Sequence, residues 1–196
     1  NENSTMNRDF TLTDGSVIQT LTMSDTRYLN SYADDDLQMV ELPYKGEEIS
    51  MYLLKPIDGD LQELLADFST SKFAMLMEKL TNEEIFISLP KFEVEYENKE
   101  MVDRLKDLGI IDIFSKQANL SKMSEKDDLA ISRVIHKTFL SVSEKGTEGA
   151  AATVVGAINT SSPPRAYFDS PFMFIIADKV TNNFLFMGRV SNPKEK

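Results

Sequence analysis

Cysteine is absent from this 196-residue sequence. That excludes disulfides, thiolate metal sites and a cysteine nucleophile, while leaving the cellular compartment open. Histidine occurs once, as His136, and basic residues are outnumbered, with 21 Lys and Arg against 32 Asp and Glu for a net charge of −11. No Lys/Arg cluster stands out, so binding to a nucleic-acid backbone is not expected. No apolar run reaches the roughly eighteen residues that a membrane-spanning helix needs, so no membrane contact is expected either. A Gly-rich phosphate loop is also missing. Acidic pairs such as Glu83-Glu84 and Asp127-Asp128 read as solvated charge, and the triplet Asp34–Asp36 lacks the spacing and later glutamate of a calcium loop. Without a nucleophile and base, a metal cluster or a cofactor motif, the chain reads as a non-enzyme with no metal or cofactor.

What is present supports a folded domain, since 41% hydrophobic residues suffice for a sizeable core. Alternating stretches at Phe10–Thr13 and Ser16–Met23 flank the hairpin signal Asp14-Gly15. Runs at Tyr28–Ala33, Leu37–Leu42 and Ile49–Lys55, joined by short polar connections, predict an antiparallel meander. From Asp60 the period changes: Leu61, Leu64, Leu65 and Phe68, then Phe73, Leu76, Met77 and Leu80, recur at helical spacing, with Ser69-Thr70-Ser71 as break and cap. Strands are predicted at Ile85–Leu89 and Phe92–Tyr96, the latter with one buried and one wet face. A short helix over Lys99–Asp107 should end at Gly109. Leu129–Glu144 reads as one long strand whose even face carries Ala130, Val134, His136, Thr138, Leu140 and Val142, so His136 is expected to be a buried, hydrogen-bonded core residue. Three strands close the chain, Arg165–Phe168, Pro171–Ala177 and Phe184–Val190, with Phe172, Phe174, Phe184 and Phe186 expected in the core.

The stretch Glu144–Ser162, EKGTEGAAATVVGAINTSS, fits none of these patterns. It runs without charge from Gly149 to Ile158 and ends before Pro163-Pro164. As a strand it would place Thr147, Gly149, Ala151, Thr153, Val155 and Ala157 on one small, buriable face, with Glu148, Ala150, Ala152 and Val154 on the other. As a loop it is long, and long loops without structure of their own are usually functional or disordered. A flexible linker, a short buried helix and an aggregation-prone edge are the plain alternatives.

EKGTEGAAAT resembles the hinge of the serpin reactive-centre loop, and FDSPFMFII followed by FLFMGRVSNP resembles the serpin C-terminal signature. VELPYKGEEISMYLLKP, ISLPKFEVEYE and LKDLGIIDIFSKQANLSKMS resemble serpin core segments in the same order. The resemblance extends from about Phe10 to Pro193 and is to the C-terminal half of the fold. It implies an α+β serpin fold, β-rich with mostly antiparallel sheets and a few short helices. Residues 1–196 would be the C-terminal part of a single domain whose N-terminal half is an expected partner, and any secretory signal would lie upstream.

The resemblance further implies that residues 144–162 are a bait loop for a serine protease of the chymotrypsin class. Its hinge would be Glu144, Lys145, Gly146, Thr147, Glu148, Gly149, Ala150, Ala151, Ala152 and Thr153. Glycine at 149 departs from the family's usual alanine. Aligned from both anchors, the reactive bond falls between Thr160 and Ser161, and small, uncharged Thr160 suits an elastase-like pocket. The family pattern also implies structural control by His136, in a buried polar cluster, and by Lys91, ion-paired with Glu144. Sequons at Asn3 and Asn119 are possible glycosylation sites, the one at Asn159 is expected to stay unoccupied because a glycan there would hinder docking, and the protein is expected to be secreted, with a cytoplasmic location as the alternative. The expected activity is suicide inhibition. The alternative is a non-inhibitory carrier, chaperone or storage protein.

Overall fold

The computed structural model describes residues 4–58, 60–123, 129–144 and 162–194. These described residues fall into two compact units, those within 1–93 together with those within 141–195, and those within 94–140.

The first unit is built on an eight-stranded sheet. Its strands are β1 (Met6–Thr11), β2 (Val17–Ala33), β3 (Leu37–Pro43), β4 (Ile49–Pro56), β5 (Thr81–Pro90), β8 (Arg165–Tyr167), β9 (Phe172–Asp178) and β10 (Asn183–Val190), in the order β10-β9-β4-β3-β2-β5-β8, with β1 also on β2. All pairings are antiparallel except β5 with β8. The sequence suggests a break between Met23 and Tyr28, yet β2 is continuous. It changes neighbours along its length: Val17–Thr22 pair with β1, Thr22–Ser31 with β5, and Ser31–Ala33 with β3. The ladder with β5 holds the polar middle extended, and Ser24 is still buried there. Local periodicity has no access to such long-range pairing.

Strands β3, β4 and β9 lie inside the sheet and are buried along almost their whole length. Covered on both faces, they are mostly apolar, with Gln38 and Glu41 of β3 and Ser50 and Lys55 of β4 as buried polar exceptions. One face packs Met39, Tyr52, Leu54, Met173 and Ile175 against Leu61 and Leu64 of α1 (Leu61–Ala66) and Phe73 and Leu76 of α2 (Thr70–Lys79). Asp60 caps α1 by accepting from the Gln62 amide, and Ser69 caps α2 by accepting from that of Lys72, as the Ser69 break predicts. The Phe73 ring meets Tyr52 and Phe184 edge-on, at 5.3 and 5.1 Å. Phe92, Phe168, Phe172 and Phe174 form a second aromatic cluster with centroids 5.3 to 5.8 Å apart.

Phe186, expected in the core, is 43% exposed. A register shift between Phe184 and Phe186 breaks the alternation of β10, so Phe184 packs against the helical face while Phe186 turns outward on an edge strand. Gly188 is a steric necessity in the same strand, because a Cβ there would lie 2.6 Å from the Phe174 ring.

The second unit holds α3 (Met101–Asp107), ended by Gly109 at φ +90°, a 3-10 turn at Asp112–Phe114, and most of a two-stranded sheet of β6 (Phe92–Asn98) and β7 (His136–Val142). The long strand expected over Leu129–Glu144 is strand only from His136 to Val142, because its one sheet partner among the described residues is the equally short β6. Along β6, Phe92 is buried but Tyr96 is 51% exposed. A two-stranded ribbon supplies no second layer to bury an alternating face.

Candidate functional site

The segment singled out in the sequence joins two anchored points of the first unit. Residues 145–161 lie outside the described residues, and with them Lys145, Gly146, Thr147, Glu148, Gly149, Ala150, Ala151, Ala152 and Thr153, the Thr160-Ser161 bond and the Asn159 sequon. Asn3 lies outside as well.

The leading anchor is Glu144, two residues beyond β7. Its carboxylate receives Lys91 Nζ at 2.8 Å on Oε2 and the Thr5 hydroxyl at 2.6 Å on Oε1. Lys91 sits between β5 and β6, and its backbone amide donates to Leu21 O of β2 at 2.8 Å. The Glu144 side chain is only 9% exposed. The Lys91 ammonium, then the Thr5 hydroxyl and the residue's own amide, hold the carboxyl down to about 2 from its ordinary 4.5, against the smaller opposing effect of burial. The ion pair expected from the resemblance is therefore present. Thr5 is an addition that the polar leader of the sequence does not advertise.

The trailing anchor is more extensive. Phe86 N donates to Pro164 O at 2.9 Å, β8 pairs in parallel with Phe86–Ser88 of β5, and Phe168 N donates to Ser88 O at 2.9 Å. At the end of β8, the Tyr167 carbonyl accepts from Gln38 Nε2 at 2.7 Å and Lys55 Nζ at 2.8 Å, and just beyond it Asp169 ion-pairs with Lys55. Thr11 N closes the arrangement by donating to Asp169 O at 2.8 Å. Gln38 and Lys55 are register partners on β3 and β4, and both are buried. They are the functional candidates that sequence reasoning missed. The available signal was a facing pair of polar residues inside two mostly apolar strands, whose target lies more than a hundred residues away.

His136 is exposed at the start of β7, with Nε2 2.9 Å from Thr138 Oγ1. This corrects the expected burial, because the ribbon carrying it has no apolar layer of its own. Asn119 is exposed in a turn, where its Oδ1 accepts from the Ser121 hydroxyl at 2.7 Å. Among the described residues no three His, Cys, Asp or Glu side chains gather as metal ligands, and no helix is long and apolar enough to cross a membrane. The two anchors can thus tether and position a segment.

Comparison with known proteins converges on one family. The model of the family described as "Serpin (serine protease inhibitor)" matches residues 1–193. An uncharacterized serpin-like protein of Thermococcus kodakarensis is 36% identical over 97% of this chain and 45% of its own length. Serpin B3 of Homo sapiens is 36% identical, over 90% of this chain and 46% of its own. Among solved structures, native protease nexin-1 with heparin superposes with a TM-score of 0.82 at 27% identity, covering 98% of this chain and 51% of that one. The chain spans about half the length of the curated relatives it matches.

Proposed function

The chain belongs to the serpin family, with an α+β serpin fold, and from that premise we propose that it is the loop-bearing part of a secreted serine protease inhibitor of the suicide type. Residues 144–162 serve as bait and His136 and Lys91 as structural controls, with an N-terminal half of the same domain completing the fold. The observation that carries the reading is the tethering of one long segment at both ends to one unit, through Glu144 on Lys91 and through β8 on β5.

In this reading the protease serine attacks the Thr160 carbonyl, the peptide bond to Ser161 breaks, and an acyl-enzyme forms. The cut frees the hinge from Gly146 to Thr153, whose small side chains then enter a sheet as a new strand, gaining ladder hydrogen bonds and carrying the protease along. The uncut loop cannot make those contacts, so the free energy is stored kinetically. Thr160 presents neither a cation nor an aromatic ring, which favours a shallow apolar pocket of elastase type.

Incubating the full-length protein with an elastase-type protease tests this. An SDS-stable adduct and a released C-terminal peptide beginning at Ser161 are expected. Cleavage without an adduct would instead indicate the non-inhibitory alternative, and a peptide beginning at Ala166 would move the bond to Arg165 and the target to a trypsin-like enzyme.

A further inference from the structure

A cavity of about 210 Å³ in the first unit is bordered by Arg8 and Asp9 of β1, Thr22 of β2, Ser88 of β5 and Tyr167, Phe168 and Asp169 at the trailing anchor. Its polar groups are unevenly satisfied. The Asp9 carboxylate accepts from Gln19 Nε2, that of Asp169 is taken by Lys55, and Thr22 donates its hydroxyl to Thr20 O at 3.2 Å. Arg8 Nε, by contrast, is buried and has no hydrogen-bond partner among the described residues. Ser24 Oγ is buried and unpartnered as well, and Ser24 faces Ser88 across the β2–β5 ladder. Residues 22 and 24 project on the same face of β2, and side chains of a registered pair lie side by side.

Both carboxylates on the wall are already engaged, while a guanidinium N–H there and a buried hydroxyl in the adjoining ladder are not. Unpartnered donors beside a cavity with room for several water-sized groups (about 30 Å³ each) call for an acceptor-rich occupant. We propose that this cavity is a binding site for a small oxyanion, held by Arg8 Nε and by the Ser88 hydroxyl, with the unpartnered Ser24 hydroxyl paired with Ser88 in the ladder rather than on the wall. A guanidinium edge with a flanking hydroxyl offers donors only from nitrogen and a rotatable donor from oxygen, which suits phosphate or carboxylate oxygens and disfavours cations. The occupant would connect β1 to the chain just beyond β8, reinforcing the trailing anchor. The proposal stands whether or not the loop inhibits a protease.

Calorimetric titration of the full chain with inorganic phosphate, at ionic strength held constant with chloride, tests it, with acetate as a second arm. Saturable one-site binding is expected, weakened about tenfold or more by Arg8→Gln and less by Arg8→Lys. Acetate competing for the same site supports the oxyanion class, and the tighter of the two anions identifies the source as inorganic phosphate or a carboxylate. Ser88→Ala, checked for folding by circular dichroism, serves as a second variant and should also weaken binding. Absence of saturable binding by wild-type protein would mean that water alone satisfies these donors and would overturn the proposal. Equal affinities in wild type and in folded Arg8→Gln and Ser88→Ala would overturn it too.

Discussion

At the leading end, Glu144 follows β7, which is laddered onto β6, and the last hold described before residue 145 is its carboxylate, shared between Lys91 and Thr5. At its trailing end, a strand is laddered onto β5 and the chain just beyond it is clamped by Gln38, Lys55 and Thr11. The leading contact is a charge pair, with Lys91 35% exposed, and one proton can cancel it. The trailing contacts are mostly backbone hydrogen bonds plus a buried lysine. The charge pair is thus the lighter of the two last holds, and the ladder with its clamp the firmer. In the proposed mechanism, the half of the cut loop that travels is the half attached to Glu144.

Breaking the firm end should have the largest effect. Lys55→Met keeps the apolar stem but leaves the Tyr167 carbonyl one donor short and Asp169 without its cation. A loss of about 2–3 kcal/mol is expected from denaturant unfolding, with Asp169's half-exposure limiting the cost. If Lys55→Met unfolds like wild type, the clamp is ornamental and the contrast between the two ends disappears.

At the light end, Glu144→Gln should cost about 1 kcal/mol or less. The same carboxylate gives the contrast a pH signature. Its folded value, about 2, lies below its ordinary 4.5, so the ion pair contributes fully above pH 4.5 and is lost as pH falls through that interval towards 2. Acid melts of wild type should lose stability there beyond the decline seen in Glu144→Gln. Parallel curves for the two proteins would show that Glu144 anchors nothing.

The smallest effect concerns the travelling half itself. Glycine at 149 costs up to about 1 kcal/mol more than alanine to order in an extended strand. Gly149→Ala is expected to raise the fraction of encounters that end in SDS-stable adducts, measured as a lower stoichiometry of inhibition. An unchanged stoichiometry would mean that ordering at residue 149 does not limit insertion.

Much of this architecture was legible because most elements carry their own period. Leu61 to Leu80 announce two helices, Ser69 its cap, and the runs at Tyr28–Ala33, Leu37–Leu42 and Ile49–Lys55 the antiparallel meander of β2, β3 and β4. The failures share one physical cause, dependence on distant partners. The continuity of β2 rests on three different neighbours, and the outward turn of Phe186 on a register shift against β9. The short extent of β7 rests on the equally short β6, and His136 is exposed because that two-stranded ribbon has no apolar layer over it. At the site, Lys91 and Glu144 were legible through family resemblance, whereas Gln38, Lys55 and Thr5 were not, since each acts on a residue more than a hundred positions away.

The most direct test of the asymmetric tether is to compare thermal unfolding of the full-length protein before and after a single cut between Thr160 and Ser161, with the C-terminal piece still associated. Release at the Glu144 end followed by strand insertion predicts a large rise in melting temperature, because the freed hinge gains ladder hydrogen bonds that the uncut loop cannot form. Identical melting of cut and uncut protein would contradict the account, since no stored free energy would then reside in the loop.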